Sequence, residues 1–403
     1  MRLLFVSCLL PYPTVTHGGG TDLFHLIDSL GQRHEVHLVS LVSEAEVGHV
    51  PEIARYCASV RAVVPAWAWR QKLCNFWGEL WTDPLLIGRR AQTAMRAYIR
   101  QAVVEHHVDI VQFEWTETGQ YLDAVPSGQM ARILDEVDVS FRPVECRAEA
   151  ESSPIKRAYA RWRSRQARQK ELVLCHRFDA VLTRSEHDCQ LLRAHLPGSC
   201  VEVFQPWTHV ARFTDIEKHE RRKGCLLFVG AMDRDENCEA VLYFYHRVFP
   251  RIRLTCPEVE LWIVGAQPQS RVKALSQDPA VKVTGYVEEP REMYARCDVF
   301  VAPIQVAGGV FNKIIDAMGA GRPVVTTSLG NEGINAPPGS AVLLADDPDA
   351  LANHTIALLN DASLWSRVAE GGRQHVQRVY NWEKNVSQIE ALYERLTSCP
   401  KRL

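Results

Sequence analysis

The chain has 403 residues, more than one hydrophobic core usually supports, so we expect two domains. With 46% hydrophobic and 23% charged residues, its composition is that of a globular protein. The formal net charge of -2 excludes the strongly basic balance typical of nucleic-acid binding. The twelve cysteines form no C-x-x-C pair or Cys/His cluster, so neither a zinc site nor a redox motif is expected.

The amino-terminal segment MRLLFVSCLLPYPTVTHGGGTDLFHLIDSL has two interpretations. Its apolar stretch at 3–10 resembles the core of a signal peptide, but only Arg2 is basic and PYPTVTHGG offers no small-residue cleavage site. The alternative is a buried strand, a loop with glycines 18–20, and a helix that stops near Gly31 before the strand EVHLVSLVS. This strand–helix–strand unit is the better interpretation, and it favours a cytoplasmic enzyme over a secreted protein.

The alternation of strands and helices continues and predicts α/β architecture with two doubly wound parallel sheets. Further strands of the first series are expected at 60–66, 109–115, 131–139, 177–185 and 201–207. After the polar stretch HVARFTDIEKHERRKG, a second series is expected at 225–232, 259–266, 281–287, 297–304, 322–328 and 340–346. We assign residues 1–210 to a first domain, 211–385 to a second, and 386–403 to a helix that crosses back to the first. Ligands of such sheets bind at the carboxyl ends of the strands, so we expect the site in a cleft between the domains.

The stretch VFVAPIQVAGGVFNKIIDAMGAGRPVVTTSLGNEGI, residues 299–334, carries the strongest chemical signal. A glycine pair at 308 and 309 precedes a helix that starts near Asn312, and the free amides of helix N-termini bind phosphate oxygens. Lys313 would add a positive charge for a diphosphate, and Asp316, on the same helical face, an acceptor for sugar hydroxyls. An ordinary helix N-terminus with a surface ion pair fits these local features equally well.

The pattern P-x(4)-GG-x(3)-K-x-x-D-A-M-x-x-G-x-P-V-V-x-T-x-x-G-x-E-G in this stretch resembles the donor site of GT-B glycosyltransferases, specifically glycosyltransferase family 4. The segments LFVGAMDRDENCEAVLYF, ELWIVGAQP, VTGYVEEPREMYARCDVFVAPI and YNWEKNVSQIEALYERL are also similar to the family, so the resemblance spans residues 225–395. It implies two Rossmann-like domains facing each other across a cleft, with the donor held by the second and the acceptor by the first. The implied reaction is a metal-independent, normally retaining transfer from a nucleotide-diphosphate-sugar to a glycan, lipid-linked or small-molecule acceptor, with no further cofactor required.

The resemblance also assigns residues to the donor. The backbone of the 308–311 loop would meet the diphosphate or the sugar, Lys313 the phosphates, and Asp316 the ribose hydroxyls. The turn at 285–287 would flank the base, and the amino-terminal glycine loop would face the same cleft. The implied donor-binding residues are Gly19, Gly20, Asn237, Gly285, Tyr286, Val287, Gly308, Gly309, Val310, Phe311, Lys313, Asp316 and Glu332.

Two features depart from the family pattern. Gly308 and Asp316 stand where the family has its E-x(7)-E pair, and AMDRDEN replaces the usual arginine and lysine after the domain's first strand, with Arg234 off the standard place. A catalytically impaired relative acting as a binding or scaffold protein would show such changes. We interpret them as variation within the family, because branches acting in polysaccharide assembly look similar.

The first domain offers acids at its strand ends. RILDEVDVS stands where the family usually has a histidine, with Val137 at that position and Asp138 after it, so Asp138 is one catalytic candidate. The other is Lys313 of the second domain, which would stabilise the departing diphosphate. The acceptor-side candidates are His17, Glu114, Asp135 and Glu136. A solvated loop histidine and a solvent-facing acid cluster are the alternatives for these residues.

Two segments combine tryptophan with lysine and arginine: WAWRQKLCNFWGELW at 67–81 and KRAYARWRSRQARQK at 156–170. Such segments bind anionic membrane surfaces, which would suit a lipid-linked acceptor and a location at the inner face of the cell membrane. Core packing of the first segment and a solvated helix face for the second are the alternatives. A nucleic-acid partner is not expected, because a basic total charge and aromatic stacking positions are missing.

Overall fold

The computed structural model describes residues 1–15, 18–65, 93–126, 128, 130–150, 153–208, 213, 221–288, 290–306 and 308–398. The chain forms two compact units: unit 1 comprises Met1–Trp207 and Trp382–Leu403, and unit 2 comprises Thr208–Asn381. The sequence places these divisions after residues 210 and 385. His17 and the tryptophan-rich segment 67–81 lie outside the described residues.

Unit 1 is built on a parallel sheet of seven strands in the order β3-β2-β1-β4-β5-β6-β7. Its strands are short apolar runs buried on both faces, as expected for a parallel sheet covered by helices. The strands are β1 (Arg2–Ser7), β2 (Glu35–Leu41), β3 (Ser59–Val63), β4 (Ile110–Glu114), β5 (Ala131–Glu136), β6 (Ala180–Thr183) and β7 (Val201–Val203). The α-helices are Gly18–Gly31, Val50–Ile53, Thr93–Glu105, Phe141–Ala150, Pro154–Cys175, Glu186–His195 and Trp382–Ser398, with 3-10 helices at Glu44–His49 and Thr116–Ala124.

Unit 2 is built on a parallel sheet of six strands in the order β10-β9-β8-β11-β12-β13. The strands are β8 (Cys225–Val229), β9 (Glu260–Val264), β10 (Val281–Gly285), β11 (Val299–Ala302), β12 (Val324–Thr326) and β13 (Leu343–Leu344). The α-helices are Asp235–Tyr243, Phe249–Thr255, Ser270–Lys273, Arg291–Arg296, Asn312–Gly319, Ser328–Glu332, Pro348–Asn360 and Ala362–Val379, with a π-helix at Phe244–Val248 and a 3-10 helix at Ala274–Gln277. None of the helices described in either unit is both long and apolar enough to cross a membrane.

The carboxyl-terminal helix Trp382–Ser398 packs on unit 1 and contributes to its core. Trp382 Nε1 donates a hydrogen bond of 2.9 Å to Ser29 Oγ at one end of this helix. Near the other end, the hydroxyl of the buried Tyr393 donates to Gln112 Oε1 at 2.5 Å. Gln112 lies in the middle of β4, so the returning helix is joined directly to the central part of the sheet.

The glycine loop at the start of the Gly18–Gly31 helix is packed against a tryptophan. A Cβ built on Gly19 would lie 2.2 Å from Cζ2 of Trp115. Trp115 follows β4 in a left-handed conformation, with φ +66. Side-chain packing within unit 1 therefore requires a small residue at this position, and the donor role of Gly19 stays a prediction.

We expect Gly19→Ala to destabilise the protein by about 1 to 3 kcal/mol, because the indole or the helix must shift to admit a methyl group. Equilibrium denaturation followed by circular dichroism measures the effect. Gly48→Ala is the matched control in the same unit, since a Cβ there meets nothing within 4 Å. Equal stabilities of the two variants would contradict the packing role of Gly19.

Candidate functional site

The winding of unit 2 reverses between β8 and β11. From β8 the sheet grows through β9 to β10, and from β11 it grows the other way through β12 to β13. The loops after β8 and β11 therefore leave in opposite directions and open a crevice at the carboxyl edge, where ligands of such sheets bind. The donor-site residues that the sequence predicts in this unit lie at or beyond the carboxyl ends of four of these strands.

A tight turn after β8 brings Asn237 into this crevice. A Cβ on Gly230 would lie 2.9 Å from Asn237 Cγ, so any larger residue there would displace the Asn237 side chain. Gly265, after β9, has φ +156, and its Cβ would lie 1.7 Å from the carbonyl oxygen of Gly230. Asn237 Nδ2 donates to the carbonyl oxygen of Ala231 at 2.8 Å, which leaves its Oδ1 as an acceptor for a neighbouring side chain.

That neighbour is Lys313, in the first turn of the helix after β11. Its Nζ donates to Asn237 Oδ1 at 2.5 Å and lies 4.7 Å from the ring centroid of Phe228. Lys313 forms no ion pair with any described residue. Burial, and secondly the charge of Arg234, lower the pKa of Lys313 to about 7. The crevice therefore holds a desolvated amine with a second cation nearby, which is a site for an anion.

Asp316 does not take the role of ion partner for Lys313. The two lie three residues apart, but the acceptor for Lys313 is the amide of Asn237. Asp316 lies near the buried Tyr294 of the Arg291–Arg296 helix, and its charge adds to the effect of burial in raising the pKa of the Tyr294 hydroxyl. The surface ion pair that the local sequence allowed is therefore not formed.

The remaining predicted donor residues of unit 2 lie on loops at the same edge of the sheet. Gly309 has φ +57, and its carbonyl oxygen would be 2.4 Å from a Cβ on Gly333, so the loops after β11 and β12 are in close contact. Glu332 is half-buried beside this contact. Tyr286, after β10, is the most exposed aromatic residue of the donor set, with 68% of its surface accessible. The other members are Gly285, Val287, Gly308, Val310 and Phe311.

Arg234 is the cation that sequence reasoning set aside. It is the exposed residue that precedes the Asp235–Tyr243 helix, and its charge reaches Lys313 from the loop after β8. The neighbouring Asp235 is engaged elsewhere, because it pairs with Arg271 and accepts a hydrogen bond from Gln269 at 3.0 Å. Arg234 lies between Asp233 and Asp235 in AMDRDEN, and these acidic neighbours made it a weak candidate in the sequence.

Of the acids predicted in the first domain, the catalytic candidate Asp138 is exposed and the three acceptor-side candidates are buried. Asp138 is exposed in the loop after β5. Glu114, Asp135 and Glu136 are at most 1% accessible, so the alternative of a solvent-facing acid cluster is wrong. Gly20, predicted for the donor, is buried in the first turn of its helix.

Glu114 and Asp135 meet a buried arginine that the sequence analysis did not identify. Arg184 Nη2 donates to Asp135 Oδ2 at 2.8 Å and lies 3.9 Å from Glu114 Oε2. Burial, and secondly the charge of Asp135, raise the pKa of Glu114 to about 8. Asp22, from the Gly18–Gly31 helix, is also near this arginine, and burial raises its pKa to about 7. Arg184 and Asp22 lie far apart in the sequence and belong to no motif, so their meeting could not be predicted from it.

Glu136 points to a different set of groups from its neighbour Asp135. It accepts hydrogen bonds from the hydroxyl of Thr116 and, at 3.4 Å, from the thiol of Cys175, and burial raises its pKa to about 8. Consecutive residues of a strand face opposite sides of the sheet, which separates the two carboxyls. Neither reaches the solvent around Asp138.

The family described as Glycosyl transferases group 1 matches residues 223–361, which lie within unit 2. An uncharacterized 44.6 kDa protein in the cps region of Klebsiella pneumoniae is 22% identical over 96% of this chain and 98% of its own length. A D-inositol 3-phosphate glycosyltransferase of Corynebacterium urealyticum is 33% identical over 51% of each chain.

Solved structures share the fold over nearly the whole chain. Sucrose-phosphate synthase from Thermosynechococcus elongatus gives a TM-score of 0.72 at 16% identity, covering 99% of this chain and 100% of that chain. HepE of Anabaena, in complex with UDP-glucose, gives 0.65 at 15% identity, with the same coverage. The two Rossmann-like units and these neighbours define the GT-B fold.

The chain is a GT-B glycosyltransferase whose unit 2 carries the group 1 glycosyltransferase domain. The fold and the enzyme class predicted from the sequence are thereby confirmed.

The ammonium of Lys313 should titrate far below ordinary lysines. We expect its ¹³Cε resonance, in protein labelled at lysine, to move with a midpoint at about pH 7, because burial favours the neutral amine. Lys313→Arg removes the resonance and so assigns it. A midpoint near the ordinary lysine value of about 10.4 would show that the amine is hydrated and would contradict the desolvated site.

Proposed function

We propose that the protein transfers a sugar from a nucleotide-diphosphate-sugar to a glycan, lipid-linked or small-molecule acceptor, with retention of configuration and without a metal ion. The observation that carries this proposal is the position of Lys313, whose desolvated amine has no ion pair among the described residues, in the crevice between β8 and β11. The complex of HepE with UDP-glucose supports a nucleotide-sugar donor.

The chemistry required of this crevice is stabilisation of a leaving diphosphate. As the bond to the anomeric carbon breaks, negative charge accumulates on the phosphate oxygens. Lys313 in its protonated form, with Arg234 nearby, opposes that charge in a site with little water to screen it. The free amides at the start of the Asn312–Gly319 helix add a partial positive charge in the same direction. These groups supply the charge that a metal ion would otherwise provide.

For the acceptor side we assign Asp138 the polar role near the transferred sugar. Of the acids in the candidate set that the structure describes, it is the exposed one and can meet a substrate. Glu114, Asp135 and Glu136 act from beneath the surface, through the groups that they hold in place.

The donor is identified by thermal shift against UDP-, GDP- and TDP-sugars, because a bound donor stabilises the folded state by mass action. With that donor, we expect Lys313→Ala to lower kcat/KM by about 10² to 10³, the usual cost of removing one group that stabilises transition-state charge. Turnover of the donor is measured by release of the nucleoside diphosphate.

Lys282→Ala is the matched control for this experiment. Lys282 is exposed near the amino end of β10, whereas the crevice lies at the carboxyl ends of the strands. This variant should leave turnover unchanged. Unchanged turnover in Lys313→Ala would refute the phosphate role, and the absence of any thermal shift in the wild type would refute the donor class.

We also propose that the protein binds the surface of an anionic membrane through one face of the Pro154–Cys175 helix. Ile155, Tyr159 and Trp162 follow at spacings of four and three, so they share one face of this helix, and they are 85, 48 and 47% accessible. The exposed basic residues of the same segment are Lys156, Arg161 and Arg165. Exposed aromatic and aliphatic groups beside cations fit the interface of a membrane with negative head groups.

Sedimentation with lipid vesicles tests this surface. We expect binding to phosphatidylglycerol vesicles and little binding to phosphatidylcholine, and Arg161→Gln or Arg165→Gln should each weaken binding about fivefold, since one cation contributes about 1 kcal/mol. Val104→Ala is the control, because Val104 is an exposed apolar residue of unit 1 on another helix. Equal binding to both lipids would refute the electrostatic contact.

A further inference from the structure

Four charged side chains from four different elements meet beneath the carboxyl edge of the sheet in unit 1. They are Asp22 of the Gly18–Gly31 helix, Glu114 of β4, Asp135 of β5 and Arg184, which follows β6. All four are at most 4% accessible. We call them the Arg184 cluster.

The Arg184 cluster contains three carboxyls for one guanidinium. With every group ionised it would carry a net charge of two negatives inside the protein, which is costly without compensation. Among the described residues, each carboxyl also has one oxygen without a hydrogen-bond donor, namely Asp22 Oδ1, Glu114 Oε2 and Asp135 Oδ1. Two protons would neutralise the cluster and turn two of its acceptors into donors. Burial, the largest effect on each, raises the pKa of all three carboxyls.

One arm of the Arg184 cluster holds the end of unit 1. Asp22 accepts a hydrogen bond from the backbone N–H of Trp207. The indole of Trp207 stacks on the ring of His25, one turn further along the same helix, with centroids 3.7 Å apart. Trp207 is the last residue of unit 1 before the chain passes into unit 2.

The other arm holds the helix on which the chain returns. Gln112 Nε2 donates to Glu114 Oε1 at 2.8 Å, and Gln112 Oε1 accepts from the hydroxyl of Tyr393 at 2.5 Å. Tyr393 lies on the Trp382–Ser398 helix, which begins where the chain re-enters unit 1. Both connections between the units are therefore held to unit 1 through one cluster.

We propose that the Arg184 cluster is a proton-dependent anchor, which keeps Trp207 and the returning helix on unit 1 while its carboxyls retain their protons and releases both when the protons are lost. The charged and titratable groups that face it are Asp138 after β5, Tyr393 and Glu390 on the returning helix, and the members of the cluster themselves. Glu390 is itself paired with Arg33 and His34. The other facing groups named here are an acid and a phenol, so among the described residues rising pH adds negative charge beside the cluster.

The direction of the pH dependence follows from proton linkage. The carboxyls bind protons more tightly in the closed anchor than when exposed, where their pKa values are about 4. Stability of the closed anchor is therefore complete below about pH 4 and is lost progressively as the pH rises to about 8. Over that window, each carboxyl that holds a proton in the closed anchor makes opening about tenfold more favourable per pH unit.

Hydrogen exchange of the full-length protein between about pH 5 and pH 8, corrected for the intrinsic rates, tests the anchor at the amides of Trp207 and Tyr393. In Glu114→Gln we expect the opening equilibrium to change with pH by about tenfold less per pH unit than in the wild type. The reason is that the glutamine amide cannot lose a proton and donates the hydrogen bond that protonated Glu114 donates. Asp22→Asn should act similarly on Trp207. An infrared band of a protonated carboxylic acid should be present in the wild type at neutral pH and weaker in Glu114→Gln.

Glu136→Gln is the matched control. It removes a buried acid of unit 1 with a similarly raised pKa that lies outside the Arg184 cluster. Its exchange at Trp207 and Tyr393 should follow the wild type. Equal effects of Glu136→Gln and Glu114→Gln would mean that these amides exchange by unfolding of the whole unit, and a wild type without pH-dependent opening would overturn the proposal as well.

Discussion

The arrangement of both units depends on one topological constraint, the reversal of winding beside the first strand of each parallel sheet. The reversal falls between β1 and β4 in unit 1 and between β8 and β11 in unit 2, and it opens a crevice at the carboxyl edge of each sheet. In unit 1, Trp115 packs against the helix of Gly19 beside β1 and β4. In unit 2, Asn237 and Lys313 meet there. The same topology therefore places a packed tryptophan at this edge in one unit and a lysine bound to an amide in the other.

The two units also differ in how they treat buried charge. Unit 2 keeps an amine without a carboxylate partner among its described residues, whereas unit 1 buries several carboxyls around the single guanidinium of Arg184. Burial raises the pKa of the acids and lowers that of Lys313, so both kinds of group approach neutrality near physiological pH. The net charge of -2 for the whole chain does not show this contrast, because it is a sum over charged residues that takes no account of their burial.

Periodicity and turn residues were enough to predict the strands of both sheets and the loops that carry the donor residues. The burial of side chains at strand ends could not be predicted, because sequence shows the residue type and not its depth. Asp135 and Glu136 looked like one cluster but face opposite sides of β5. Lys313 and Asp316 looked like an ion pair at helical spacing, yet Asn237, remote in sequence, is the partner that the fold brings to Lys313.

The unusual state of Lys313 has a consequence for selectivity. Lowering its pKa from 10.5 to about 7 corresponds to a cost on the order of 5 kcal/mol for holding the charged form in the empty crevice. An anion that restores the charge recovers part of that cost, and the recovery grows with the charge brought close to the amine. A neutral sugar recovers none of it. The crevice therefore favours a highly charged anion over a neutral ligand. In the proposed function this makes the diphosphate the main source of donor binding and leaves the sugar to be selected by the surrounding loops.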